Sequence, residues 1–334
     1  MGLLYVWRVQ QTPPPPFHEM QTPHFQLGKG LPAVFRGRAF TLIELLVTIL
    51  IIALLISILL PAISRARAAA FQAKEMSAGK QLMTAYLMYS SDNKGVLMPG
   101  YIKSSWTDGT NPNHQFRVWE SPLHKGPEEQ MLGTVIRRYP YRLLPYLDYN
   151  LDGLIIDPRL NSEYRRLPDD RNGRLSFQRG FSTSPSFGLN TTYIGGDSKR
   201  GAFFVPSIRR WGPYYVTRVD AVSDGAKLMV FSTARGGHTD PANHAVVPGR
   251  HRIEGPWQAS TTSNSLPVFL RWTVPVGAFR PSHSPGTYGH LDFRHGGSAI
   301  SVMFDGHVEL LKLDELSDMR RWSNKATSAN WRPR

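Results

Sequence analysis

From Phe40 to Ile63 the chain runs 24 residues with a single ionisable side chain, Glu44. At about 1.5 Å per residue a helix of that length reaches roughly 36 Å, enough to cross a hydrocarbon core of about 30 Å with some tilt. A carboxylate near the centre of such a span costs roughly 3 kcal/mol on insertion scales. Glu44 is therefore expected to face a partner or to sit near an interface. The run is too long for the apolar stretch of a secretory signal, about 7–15 residues. Nor does a cleavage pattern follow it: Pro61-Ala62-Ile63-Ser64-Arg65 continues in helical style. A plain membrane anchor has no use for the acid.

The segment Ala39-Phe40-Thr41-Leu42-Ile43-Glu44 resembles the processing signal of type IV prepilins and type II secretion pseudopilins. The resemblance implies a peptidase cut on the cytoplasmic side between Ala39 and Phe40, followed by methylation of the new amine. Ala39 stands where that family usually has Gly. A cut after Gly37 is rejected, because it would put Arg38 first and move Glu44 out of register. Pro61 falls where the family carries a helix-kinking proline. A terminal amine in apolar surroundings needs a counter-charge, and Glu44 supplies one to its own subunit or to a packed neighbour. The resemblance implies that Glu44 and Pro61 serve filament assembly.

The chain organises around this segment. Residues 1–39 read as a cleaved leader in which Pro13 to Pro16 favour polyproline II; a start at Met20 would shorten it. Residues 40–63 form the transmembrane part of a long helix and 64–92 its amphipathic continuation. Ile63, Ala66, Ala70, Phe71, Ala78, Leu82, Ala85, Tyr86 and Tyr89 recur at three-to-four spacing there. Ser90 to Gly95 supplies the stop. Residues 93–314 read as an exported, β-rich head and 315–334 as a flexible tail. The fold class is α+β: a long N-terminal helix packed on an antiparallel β-rich, pilin-like head. Candidate strands are Thr134 to Tyr139, Gly201 to Val205, Tyr214 to Val219, Lys227 to Ser232, Pro267 to Val274, Ser298 to Phe304 and Val308 to Lys312. Stretches 158–190 and 233–264 read as long loops. No βα alternation is present, which disfavours a doubly wound nucleotide fold.

The C-terminal strands give a register. A two-residue Asp305-Gly306 turn would split the apolar face. A three-residue loop, Phe304-Asp305-Gly306 with Gly306 left-handed, sets Ile300 opposite Leu310 and Val302 opposite Val308. His295 and Asp305-Gly306, with nine residues between them, resemble the H-X9-DG signature of a pilin-like family with large heads. Asp305 and Gly306 read as turn residues, His295 as a hydrogen-bonding partner of that turn, and an ion or substrate site shared by His295 and Asp305 as the lesser alternative.

Other chemistry is sparse. The sequence has no Cys, which excludes disulfides and thiolate chemistry. Asp148-Tyr149-Asn150-Leu151-Asp152-Gly153 fits the first half of a calcium loop, with Asp148, Asn150 and Asp152 as ligands. Its twelfth position is Arg159, where a bidentate Glu is wanted, so an Asx-rich turn is the competing reading. Ser77-x-x-Lys80 is followed by Ser91-Asp92-Asn93, but only ten residues separate Lys80 from Ser91, no K-T-G follows, and the segment lies in the helix, so a serine hydrolase is rejected. His238, His244, His251, His283, His290, His295 and His307 show no zinc-binding spacing. Trp106, Trp119, Trp211, Trp257 and Trp272 are candidates for a glycan surface, with core packing as the default. The net charge of +14 is spread without dense basic runs, so no nucleic-acid partner is expected.

The expectation is a non-enzymatic, single-pass inner-membrane subunit with a cytoplasmic N-terminus and an exported head, reaching the cell surface where a filament extends there. Its partners are a prepilin peptidase, other pilin-like subunits, an inner-membrane assembly platform and lipid. It needs no certain cofactor, with calcium the candidate ion. The alternatives are a membrane-anchored metal-dependent hydrolase using His295 and Asp305, or a glycan-binding module in the head.

Overall fold

The computed structural model describes residues 41–103, 116–121, 124–131, 134–150, 153–157, 160, 162, 166, 171–200, 202–203, 205–237, 246–261, 267–274, 279–280 and 282–333. The chain divides into two units, Met1–Leu60 and Pro61–Arg334.

Helix α1 spans Leu42–Asp92 and carries Pro61 in its interior. The part in the first unit is exposed throughout and apolar apart from Glu44, Thr48 and Ser57, its large apolar side chains lying between 45% exposed at Val47 and 79% at Leu42. Exposed apolar surface on this scale requires a non-aqueous or protein environment. The helix stops where the sequence says it should: Gly95, left-handed at φ +78°, donates its N–H to Ser90 O at 2.8 Å.

In the second unit, β1 (Phe116–Ser121) and β2 (His124–Met131) pair as an antiparallel ribbon. Next come α2 (Tyr139–Leu143), α3 (Arg171–Thr183), β3 (Phe187–Asn190), α4 (Val205–Trp211), β4 (Met229–Thr233), β5 (Arg235–Gly237) and β6 (Val246–Pro248). They are followed by β7 (Arg252–Ile253), β8 (Trp257–Thr261), β9 (Pro267–Arg271), β10 (Ala299–Met303), β11 (Val308–Leu311) and α5 (Leu313–Leu316). The central sheet has the order β11-β10-β4-β3-β7. Its pairs are antiparallel except β3 with β7. A long apolar helix followed by a mixed, mostly antiparallel sheet is an α+β, pilin-like architecture.

Both faces of this sheet are covered. Ala78, Leu82, Met83 and Tyr86 of α1 share one core with Phe187, Phe231, Ile300 and Val302. Met229, Ala299, Met303 and Leu311 join Leu316, Met319 and Trp322 in a second core. Side chains alternate faces along β10, as a strand requires. Gly79 sets the helix-to-sheet distance, because a Cβ there would stand 2.8 Å from Val302 Cγ2 and 3.2 Å from Phe187 Cζ. The expected hairpin register is present: Ile300 pairs with Leu310 and Val302 with Val308. Gly306 is left-handed at φ +91°, and Met303 N–H donates to His307 O across the three-residue loop.

Several expectations are corrected. Thr134 to Tyr139 is a turn leading into α2, where Pro140 occupies the first helical turn. Proline suits that position and cannot donate to a sheet ladder. Ala202 and Phe203 form a turn, and Val205 opens α4 instead of closing a strand; Gly201 lies outside the described residues. Tyr214 to Val219 makes isolated bridges, Val216 with Ile194 and Arg218 with Val96, and no full strand. The supposed loops at 158–190 and 233–264 contain α3, β3 and β5 to β8. The segment read as a flexible tail is built into the fold. Trp322 is fully buried, its Nε1 donates to Leu316 O at 2.7 Å, and Asn190 Nδ2 donates to Trp322 O at 2.8 Å.

Candidate functional site

The first site lies at the start of α1. Thr41 N–H and Thr41 Oγ1 each donate to Glu44 Oε2 at 2.9 Å, and Glu44 N–H donates back to Thr41 Oγ1 at 3.2 Å. This reciprocal pattern is a capping box, with Thr41 as the cap and Glu44 in the first turn. The sequence reading gave Glu44 only an assembly role and missed its use within the helix. The Thr-x-x-Glu spacing was the signal that would have found it. Ala39 and Phe40 lie outside the described residues. Pro61 sits in the helix interior at the boundary of the two units.

The second site is buried in the second unit. Glu75 projects from α1 onto the turn preceding β10, where its Oε2 meets His295 Nε2. The carboxylate is fully buried and the imidazole is 5% exposed. Arg294 Nη2 lies 3.3 Å from Glu75 Oε1, an ion-pair distance, and also donates to Ser186 O at 3.3 Å. Arg294 Nη1 is 3.6 Å from Asp292 Oδ2. Burial pushes the Asp292 carboxyl above the ordinary range while Arg294 pulls it down. His295 and Ser298 exchange backbone hydrogen bonds at 3.0 and 3.2 Å around Gly296 and Gly297, both left-handed. The ring also packs against Phe71 of α1, centroid to centroid at 5.9 Å. A buried acid is tolerable only when paired and hydrogen-bonded, and this turn supplies the pairing.

His295 and Asp305 stand at opposite ends of β10 and do not meet. Asp305 Oδ1 accepts from the backbone N–H of His307 at 3.1 Å and contacts His307 Nδ1 at 2.6 Å on the surface. It orders the hairpin loop, as a turn residue does. His295 does not bond that turn; its partner is Glu75. The sequence signal for Glu75 was an acid four residues after Phe71 and three before Ala78, on the apolar stripe. Among the described residues, no group of three or more His, Asp or Glu side chains is arranged to hold a metal.

Asp148 and Tyr149 adopt left-handed conformations at φ 48° and 55° and end a 3-10 turn, Leu144–Leu147. Tyr149 N–H donates to Leu144 O at 3.0 Å and Asn150 N–H to Leu147 O at 2.9 Å. Asp152 lies outside the described residues. So do His238, His244, Trp106 and the side chain of Trp119. Trp211, Trp257 and Trp272 are partly buried against the second core.

A family model described as the prokaryotic N-terminal methylation motif matches residues 35–60. No curated protein and no solved structure gives a significant match to the chain. The matched residues end one position before Pro61 and take in the capping box and the exposed apolar part of α1. Carried on such a helix, the prepilin motif supports a type IV pilin-like protein.

Proposed function

We propose that this protein is a non-enzymatic, membrane-inserted, pilin-like subunit. In this reading a prepilin peptidase cuts between Ala39 and Phe40 and methylates the new amine. The head is exported while the apolar first part of α1 stays in the bilayer until assembly, when apolar helices of neighbouring subunits replace lipid around it. The observation that carries this reading is the methylation motif at residues 35–60, lying on the first part of α1, where the large apolar side chains are all exposed. A helix of this kind in a water-soluble monomer would leave its apolar surface uncovered, a state that lipid or sister helices relieve.

Glu44 then has two successive tasks. In the uncut chain its carboxylate caps α1 through Thr41. After the cut, the new cation on Phe40 stands one residue before Thr41, and Glu44 is the acid of the segment that can neutralise it. Partners in this scheme are the peptidase, other pilin-like subunits and an inner-membrane assembly platform. Both a pilus and a secretion pseudopilus accommodate such a subunit.

N-terminal sequencing and intact mass of membrane-extracted protein test the proposal. A mature chain beginning with N-methylated Phe40 is expected. A membrane-extracted chain that retains residues 20–39 overturns it. Glu44→Gln is expected to leave the cut intact and to abolish crosslinkable oligomers.

A further inference from the structure

Two neighbouring clefts open on the surface of the second unit, near the C-terminus. The first, about 480 Å³, is lined by Trp211, Tyr214, Trp331, Lys325, Arg332 and Asn330, among others. The second, about 320 Å³, is lined by Trp257, Trp272, Arg271 and again Asn330. Arg332 links them, since it lines the first cleft and its guanidinium carbon lies 5.5 Å from the Trp257 ring centroid. Neither lining contains an Asp or Glu.

The aromatic rings are fixed in place. Trp331 meets Tyr193 edge-on at 6.4 Å, Trp211 meets Phe269 at 5.7 Å, and Trp272 meets the buried Trp322 at 5.9 Å. Tyr193 OH in turn donates to Trp257 O at 2.7 Å. Rings ordered in the free protein present contact area without a further entropic cost on binding. Between them lie the hydroxyl and amide groups of Thr327, Ser328 and Asn330 in the first cleft, and of Thr273 and Ser317 in the second.

We propose that this double cleft binds an anionic oligosaccharide, one rich in uronate or sulfate groups. Flat apolar sugar faces match the indole rings, ring hydroxyls match the Thr, Ser and Asn side chains, and carboxylate or sulfate groups match Arg271, Lys325 and Arg332. The volumes fall in the usual range for small-ligand sites, and the shared Asn330 gives two contiguous subsites for one chain. A lipid surface fits less well, because membrane-seeking aromatics protrude, whereas Trp211, Trp257, Trp272 and Trp331 are half-buried in clefts. Single-stranded nucleic acid also uses cations and aromatics, but it has no need of hydroxyl- and amide-lined walls.

The test uses full-length protein in detergent micelles, titrated with tetragalacturonate and followed by tryptophan fluorescence and melting temperature. Saturable quenching that weakens with added salt is expected, with uncharged cellotetraose bound at least about tenfold more weakly. Arg332→Gln and Arg271→Gln alter exposed side chains and are each expected to weaken binding about tenfold while leaving the unliganded melting temperature unchanged. Trp331→Ala is expected to lose the quench. Absence of saturable quenching with both tetragalacturonate and a sulfated oligosaccharide overturns the proposal. So does binding that the two Arg variants leave intact, or equal and equally Arg-dependent binding of oligothymidylate or phosphatidylglycerol vesicles.

Discussion

Glu75 and His295, 220 positions apart in the sequence, close on each other in the interior, carboxylate oxygen against imidazole Nε2. Through this contact the second half of α1 is tied to the turn that starts β10. Arg294 approaches the other carboxylate oxygen and Phe71 covers the ring. The H-X9-DG spacing thus divides its labour along one strand: His295 pins the helix at one end, and Asp305 and Gly306 shape the hairpin at the other.

Glu75→Ala is expected to destabilise the second unit by about 3–5 kcal/mol, because it leaves Arg294 and His295 buried without their acid. His295→Ala should cost a similar amount, and the double variant much less than the sum of the two. Chemical denaturation of the three variants measures the coupling. Additive losses would show that the pair does not act as a unit.

Gly79→Ala pits helix propensity against close packing. Alanine favours a helix interior by about 1 kcal/mol. Here its methyl would press on Val302, a β-branched residue within a buried strand that cannot swing away. Overpacking costs about 1–3 kcal/mol, so a lowered melting temperature is expected. A raised one would mean that the helix and sheet can separate slightly without loss.

His290 and His251 make stability depend on acidity. Burial, with Arg250 nearby, pushes the His290 imidazole down to about 4. Burial and then the neighbouring Arg252, Arg250 and Arg138 hold His251 well below its usual value. Both are neutral in the folded chain and take up protons more readily when unfolded. The His290 contribution is therefore complete above about pH 6.5 and is lost as pH falls from there toward about 4, on the order of 3 kcal/mol, and the His251 contribution is lost in the same direction. The raised Asp292 carboxyl works in the opposite sense at the acid end. His290→Asn, chosen because Asn tolerates the left-handed backbone at φ 64°, should flatten the melting temperature between pH 6.5 and 4. An unchanged slope would remove His290 from this account.

Trp322→Ala is expected to cost about 3–5 kcal/mol by opening a cavity in the second core. Removal of residues 318–334 should be as damaging, since Asn190 would also lose its acceptor at Trp322 O. Limited proteolysis reads the result: a tail that could be trimmed without loss of stability would contradict this packing.

The sequence alone determined the long helix, its stop at Gly95, the α+β class and the register of the last hairpin. Each follows from short-range rules: an unbroken apolar run, a left-handed glycine, and the parity of Ile300, Val302, Val308 and Leu310. Only the tertiary structure decided that Tyr139 and Val205, expected to close strands, begin helices instead, and that the C-terminal residues fill a core. Local propensity there is weak, and burial against distant partners settles the outcome. The same holds at the candidate sites. The methylation motif is contiguous and therefore readable, and so, with closer attention, was the Thr41–Glu44 capping box. The Glu75–His295 pair and the Trp–Arg clefts are assembled from segments far apart in the chain, so their chemistry exists only once the sheet has brought those segments together.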